Sequence, residues 1–301
     1  ASDVYKRQDV DRFYGTTTYY VRNVPAAENQ NLPAIIFNNS NRNSIRSTNT
    51  LSYGFGKVLN KNHNLNLLLG HEYLKTELVT MTSVVHGFPS SFTFNDTRTL
   101  STQGKANAVD NNFSPHDNLL SFFGRANYDY LGKYLFSASF RADGSSKFSP
   151  GNQWGYFPSV SAGWRISQEN FMKGTSSWLS DLKLRASYGT AGNNNIPPGQ
   201  MNQTFQNYVT TWVNGATNYW AASKIMANPE LQWETTVTRN VGLDFSLLNS
   251  KITGTVDAYL NRTKDLLLQF PVAGTGYDFQ FRNIGETENK GIEFSLNWNA
   301  V

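Results

Sequence analysis

The sequence predicts an all-β chain, an antiparallel transmembrane β-barrel wall of about nine strands. Three observations lead there. Apolar and polar residues alternate with period two over stretches of nine or more residues, longer than the five or six of an ordinary globular strand. The connections between those stretches are short and long in turn, as tight turns on one side of a membrane and large loops on the other would be. Aromatic residues recur at both ends of the apolar faces, where membrane barrels set their interfacial girdles.

The alternating stretches are residues 49–59, 63–80, 119–130, 134–143, 155–166, 182–189, 237–247, 251–261 and 290–300. In 119–130, Leu120, Phe122, Ala126, Tyr128 and Tyr130 share one face, and Ser121, Arg125, Asn127 and Asp129 share the other. In 134–143, Tyr134, Phe136, Ala138 and Phe140 oppose Ser137, Ser139, Arg141 and Asp143. In 182–189, Leu182, Leu184, Ala186 and Tyr188 oppose Lys183, Arg185 and Ser187. A half-buried soluble sheet alternates in the same way, so the connections have to decide.

Links 60–62, 131–133 and 248–250 are tight, 144–154 is of medium length, and 81–118, 190–236 and 262–289 are long. The link after Ile166 departs from this rhythm: "SQENFMKGTSSWLSDLK" predicts a small helix capped by Ser167, with Trp178 and Leu179 as apolar anchors. On 155–166, Tyr156 and Trp164 share the apolar face. At about 3.4 Å per residue and a tilt near 40° they stand roughly 20 Å apart along a barrel axis, close to the ~25 Å apolar band. Tyr128, Tyr130 and Tyr134 would then form the inner girdle beside the tight turn.

Bulk properties exclude other classes. With 39% hydrophobic, 14% aromatic and 16% charged residues, the composition is not that of disorder. The mean hydropathy of -0.47 and the lack of a long apolar run exclude a membrane-spanning helix, but not a membrane strand, whose alternation averages out. There is no cysteine, hence no disulfide, thiolate metal site or cysteine nucleophile. The net charge is +4 without any basic run, so nucleic acid is not an expected partner. His63, His71, His86 and His116 show no ligand spacing, and "GTAGNNN" and "GKVLNKN" are not phosphate loops. No catalytic residue, metal or cofactor is expected, and the chain does not read as an enzyme.

The organisation expected is a suspected non-native scar at residues 1–8, carrying "SDVYKRQ", then a loop or ill-defined segment at 9–46, then a partial barrel at 47–301. The chain reads as a fragment, since alternation is still running at "EFSLNWNAV".

The segments "RANYDYLGKYLFSASFRADGSSKFSPGNQWGYFPSVSAGWRISQENFM", "WLSDLKLRASYGTAGNNNIPP", "ANPELQWETTVTRNVGLDFSLLNSKITGTVDAYLNRTKDLLL" and "NIGETENKGIEFSLNW" resemble, in order, the barrel of SusC/RagA-family TonB-linked outer-membrane proteins. The resemblance implies part of a 22-stranded barrel in the outer membrane of a Gram-negative, Bacteroidetes-like bacterium. It implies a plug and a TonB box, energised by the TonB-ExbB-ExbD complex, and a SusD-like surface lipoprotein that delivers oligosaccharides or peptides. None of the plug, the TonB box or an aromatic closing strand is found in these residues. The other readings are a TonB-dependent receptor for siderophores, haem or cobalamin, and a soluble β-rich adhesin or structural protein.

Two residue sets are the candidates for function. Tyr208, Trp212, Tyr219 and Trp220 lie among Asn, Gln and Thr in the longest excursion, suited to stacking on sugar rings and bonding hydroxyls, and equally to packing against a partner protein. Arg125, Asp129, Arg141, Asp143, Lys183 and Arg185 lie on the polar faces, where they line a substrate path, hold a plug, or pair with one another along a wet wall.

Overall fold

The computed structural model describes residues 2–22, 32–55, 60–210 and 217–299. The strands are β1 (Ser2–Val21), β2 (Ala34–Gly54), β3 (His63–His86), β4 (Lys105–Phe113), β5 (Asp117–Tyr130), β6 (Tyr134–Ser145), β7 (Trp154–Arg165) and β8 (Leu179–Asn193). Then come β9 (Phe205–Thr210), β10 (Thr217–Ala222), β11 (Ile225–Met226), β12 (Glu234–Leu247), β13 (Ile252–Lys264), β14 (Leu267–Pro271), β15 (Phe279–Asn283) and β16 (Glu286–Trp298). A single short helix, α1 (Phe94–Thr99), sits between β3 and β4 among the described residues.

One 11-stranded sheet dominates, in the order β1-β2-β3-β5-β6-β7-β8-β12-β13-β16 with β4 paired to β3. Every neighbouring pair along it is antiparallel. β4 and β5 lie end to end along β3, β4 against Val79 to His86 and β5 against His63 to Thr76. The break falls at Pro115, which has no N–H to give the ladder. All nine expected strands are present, as β2, β3, β5 to β8, β12, β13 and β16.

The segment 9–46 is a correction. Its described residues are not a loop: β1 pairs with nearly the whole of β2 through twenty residues, Ser2 with Tyr53 to Val21 with Ala34. Residues 2–8 run in that same strand. The reason for the misreading is length. β3 has 24 residues, which at ~3.4 Å each and a ~40° tilt reach about 60 Å, more than twice the ~25 Å apolar band. The far halves of β1 to β3 therefore extend beyond that band, so runs such as "NNSNRNS" at 38–44 need no alternation.

Register groups the side chains by face. Phe122, Phe136, Phe140, Tyr156, Val160 and Tyr188 are 42–61% exposed and all point outward, as side chains meeting lipid do. At the β5–β6 turn Leu131 and Gly132 have φ of 58° and 68°. Two successive left-handed residues make the hairpin turn that matches strand twist, and Gly132 adopts it without a Cβ penalty. The Gly132 N–H donates to Asp129 Oδ1 at 2.6 Å.

The link after β7 holds no α-helix. It forms two 3-10 turns, Ile166–Gln168 and Asn170–Thr175, and the Ser167 hydroxyl donates to Asp181 Oδ1 at 2.7 Å instead of capping.

The best-packed apolar cluster lies away from the lipid face. Phe148, Ile196, Leu231 and Trp233, from the loops, close over Phe157 of β7, with Leu119, Leu267 and Phe281 against them. Phe157 is on the inward side of β7, opposite Arg141 in register. Two small sheets, β9-β10 and β11-β15-β14, form from the long connections, and the second meets this cluster through Leu267 and Phe281.

Candidate functional site

The inward wall carries the charges, and it holds them in pairs. Arg141 donates through Nε to Asp143 Oδ1 at 2.7 Å and through Nη2 to the buried Ser121 hydroxyl at 2.9 Å. Its guanidinium lies 5.4 Å from the Phe123 ring centre and 3.6 Å from Glu72. Period two puts all of these on one face of β3, β5 and β6, since Ser121 is opposite Asp143 and Phe123 opposite Arg141.

Arg185 of β8 is a second node. It donates to Asp244 Oδ1 at 2.9 Å, to Asn240 Oδ1 at 3.3 Å and to Asp257 Oδ2, so it joins β8, β12 and β13. Lys183 Nζ stands 3.8 Å from Asp244. Gly242, between Asn240 and Asp244, makes the room: a Cβ there would fall 2.5 Å from Arg185 Cζ. Arg185→Ala removes the shared donor and leaves two carboxylates facing each other. Since the Arg185 side chain is 32% exposed, the cost is about 1–3 kcal/mol rather than that of a dry ion pair. Urea unfolding of the complete barrel in detergent should show that loss for Arg185→Ala and less than half of it for Arg185→Lys.

The remaining inward candidates separate by role. Asp129 serves the β5–β6 turn. Arg125 is exposed on the inward face, opposite Ser139. Beside Arg185 lies a groove of about 380 Å³, where Asn64, Asn127, Ser137, Ser161, Lys183 and Asn240 stand among apolar groups such as Leu135 and Ala162. Such a wall offers amide and hydroxyl groups to whatever fills the lumen, while most of its charges are already neutralised.

Opposite ends of the wall are tied differently. On the loop side, the Trp233 ring packs 5.5 Å from Phe148 and 5.4 Å from Phe157, and its Nε1 donates to the Gln153 carbonyl at 2.9 Å. On the turn side, Glu169 between the two 3-10 turns accepts from Tyr134 Oη at 2.7 Å, Lys133 Nζ at 3.1 Å and Trp164 Nε1 at 3.2 Å. Those three donors, the Tyr134 hydroxyl foremost, hold the Glu169 carboxyl below the ordinary glutamate range.

A depressed folded-state value means that Glu169 stabilises the fold above the unfolded value, and that this is lost as pH falls through the folded value. The heat-denaturation midpoint of the barrel should therefore fall on acidification below the ordinary carboxylate range. Glu169→Gln should flatten that part of the profile; parallel profiles for both proteins would refute it.

Of the loop aromatics, Tyr208 and Tyr219 are register partners in the β9–β10 hairpin, and Trp220 is opposite Asn207. Their side chains, and Trp212 altogether, lie outside the described residues. Sequence reading missed Glu72, Asp244, Asp257, Glu169 and Trp233. Asp244 and Asp257 were findable, because they share the polar parity of 237–247 and 251–261. Glu169 and Trp233 sit outside any alternating run, and only the packing reveals them.

A family profile described as "TonB dependent receptor-like, beta-barrel" matches residues 2–301. The chain is 44% identical over 195 residues to the TonB-dependent receptor SusC of Bacteroides thetaiotaomicron, covering 62% of this chain and 19% of that protein. It is 34% identical over 266 residues to TonB-dependent receptor P26 of Formosa agariphila, covering 86% of this chain and 26% of that one. The chain thus spans about a fifth to a quarter of the length of these relatives. Among solved structures, the RagAB peptide importer in its closed-closed state aligns over 100% of this chain and 32% of that chain, with a TM-score of 0.83 and 28% identity. A ferric enterobactin receptor mutant from Pseudomonas aeruginosa, with 14% identity and a TM-score of 0.52 over 97% of this chain and 41% of that one, shares the fold.

Proposed function

We propose, since the chain belongs to the TonB-dependent receptor β-barrel family and is an outer-membrane wall of SusC/RagA type, that it serves the import of large nutrients, oligosaccharides or peptides. The observation that carries this reading is the alignment of the whole chain with the RagAB peptide importer, joined to its 44% identity with SusC. The sheet ends in two edges, β1 and β16, and unpaired edges are not tolerated in lipid. The wall therefore works inside a closed barrel, with transport driven by plug rearrangement through TonB-ExbB-ExbD and with a SusD-like lipoprotein at the loop side.

No covalent chemistry is required of these residues. The inward nodes at Arg141 and Arg185 give the lumen a fixed, largely neutralised surface, and the Asn- and Ser-lined groove supplies hydrogen bonds to polar cargo or to a plug. Tyr208, Trp212, Tyr219 and Trp220 are the proposed contacts to ligand or lipoprotein on the loop side. Trp212→Ala with Trp220→Ala in the complete receptor should weaken ligand or lipoprotein binding about tenfold or more. Unchanged affinity for both would remove these residues from the site.

The reading as a whole is tested by deleting the complete receptor gene in its own bacterium. Growth should fail on one polysaccharide or on peptides as sole nutrient, and a surface lipoprotein should co-purify with the tagged receptor. A defect confined to ferric siderophore, haem or cobalamin uptake would overturn it.

A further inference from the structure

The outward face is not uniformly filled. Ala162, Ala186, Val241 and Ala258 form one cross-strand row through β7, β8, β12 and β13. On the turn side it is bounded by the row Trp164, Leu184, Leu243, Val256, and on the loop side by Val160, Tyr188, Arg239, Leu260. The row with its three alanines and the loop-side row beside it line an apolar groove of about 560 Å³. With strands ~4.8 Å apart, the row is about 14 Å long.

Arg239 stands at the loop-side rim of this groove. Its outward position is fixed by register, opposite Tyr188 on one side and Leu260 on the other. Its guanidinium lies 5.9 Å from the Tyr188 ring centre. Among the described residues it has no carboxylate partner. The outward cations on the neighbouring strands differ: Arg262 bonds Glu286 at 2.6 Å, and Lys290 is 3.4 Å from Glu288.

Depth gives the unpaired charge a setting. Arg239 is eight residues from Leu247, where the β12–β13 turn begins, or about 21 Å along the axis at ~3.4 Å per residue and ~40° tilt. That is near the loop-side limit of the ~25 Å apolar band, where a cation costs little and meets headgroups. Val160, in the same row, is only five residues from Arg165 at the end of β7, so it lies about 8 Å deeper. The groove therefore runs obliquely from mid-membrane toward the headgroups.

We propose that this groove seats an acyl chain of the phosphorylated glycolipid that forms the outer leaflet of a Gram-negative outer membrane, with a phosphate held by Arg239. The apolar floor takes the chain, the planar guanidinium offers a bidentate fork to the phosphate, and Tyr188 keeps that fork at headgroup level. A lipid without phosphate would leave Arg239 unanswered, so the site selects for phosphate as well as for chain. The proposal depends on the membrane placement of the wall and not on what the receptor imports.

Native mass spectrometry of the complete receptor, purified in mild detergent and titrated with lipid A, tests it. The wild type should bind one lipid A, with dephosphorylated lipid A binding about tenfold more weakly or worse. Arg239→Gln should lose that preference. Ala186→Phe, which fills the groove and leaves Arg239 intact, should lower lipid A affinity by a similar factor, and Lys290→Gln should leave it unchanged. Heat-modifiable migration of each variant verifies its barrel. Equal affinity for the phosphorylated and dephosphorylated lipids in the wild type, or undiminished binding in both Arg239→Gln and Ala186→Phe, overturns the proposal.

Discussion

Val160→Arg should abolish most barrel assembly, while Ser161→Arg, one residue on, should leave it nearly intact. Val160 is four residues from both Tyr156 and Trp164 on the outward face of β7, so it marks the middle of the span between the girdles. It is 54% exposed there, and the surroundings that meet it are hydrocarbon. An arginine at the midplane of a barrel's lipid face costs about 2–4 kcal/mol, a shift of roughly 30- to 900-fold in the folding equilibrium. Ser161 is opposite Ser137 on the polar face of the sheet, where a guanidinium keeps its water. The fraction of complete receptor that migrates as a heat-modifiable folded band, in outer-membrane fractions, measures both. Equal fractions for the two variants would refute the facing assigned to the whole sheet.

That facing was legible in the sequence for a physical reason. Inside the membrane a strand has lipid on one side and a wet lumen on the other, and the demand for alternation is enforced at every residue from Leu120 to Tyr130 and Tyr134 to Asp143. Once β1 to β3 leave the membrane the demand ends, and Thr16 to Thr18 pair with Phe37 to Asn39 through the backbone ladder and polar contacts such as Thr16 Oγ1 to Asn39 Oδ1. Propensity and period then say little, which is why 9–46 read as a loop. The site divides along the same line. Parity puts Arg141, Asp143 and Arg185 on the polar face, but parity cannot show that Arg185 reaches across β12 to Asp257 on β13. Those meetings depend on which strands are neighbours, and β8 meets β12 only after an excursion of some forty residues. Phe157 broke the pattern, an aromatic on the polar face in one row with Phe123 and Arg141, and it was a sequence signal that something apolar covers the loop end of β7.

What covers it is the Trp233 cluster, and Trp233→Ala should open the loop layer without unfolding the barrel. Trp233 is 9% exposed and its ring fills the space between Phe148 and Phe157. Truncating a buried tryptophan to alanine costs about 3–5 kcal/mol, and here it also leaves the Gln153 carbonyl without its donor. The cluster draws on three separate connections, through Phe148, through Ile196 with Leu231, and through Leu267 with Phe281. None of these belongs to the lipid face, so the loss should fall on the loops. Protease added to intact cells should cleave the complete receptor in these loops about a hundredfold faster or more in the variant, since cleavage follows the population of the open form. The folded band on a heat-modifiable gel should stay within error of the wild type. Trp233→Phe, which keeps most of the packing and loses the 2.9 Å hydrogen bond, should fall between the two. Ligand affinity should drop with Trp233→Ala although Trp233 is assigned no ligand contact, because the cluster sets the positions of the loops that make those contacts. Unaltered protease resistance would mean that the three connections are held by something other than this cluster.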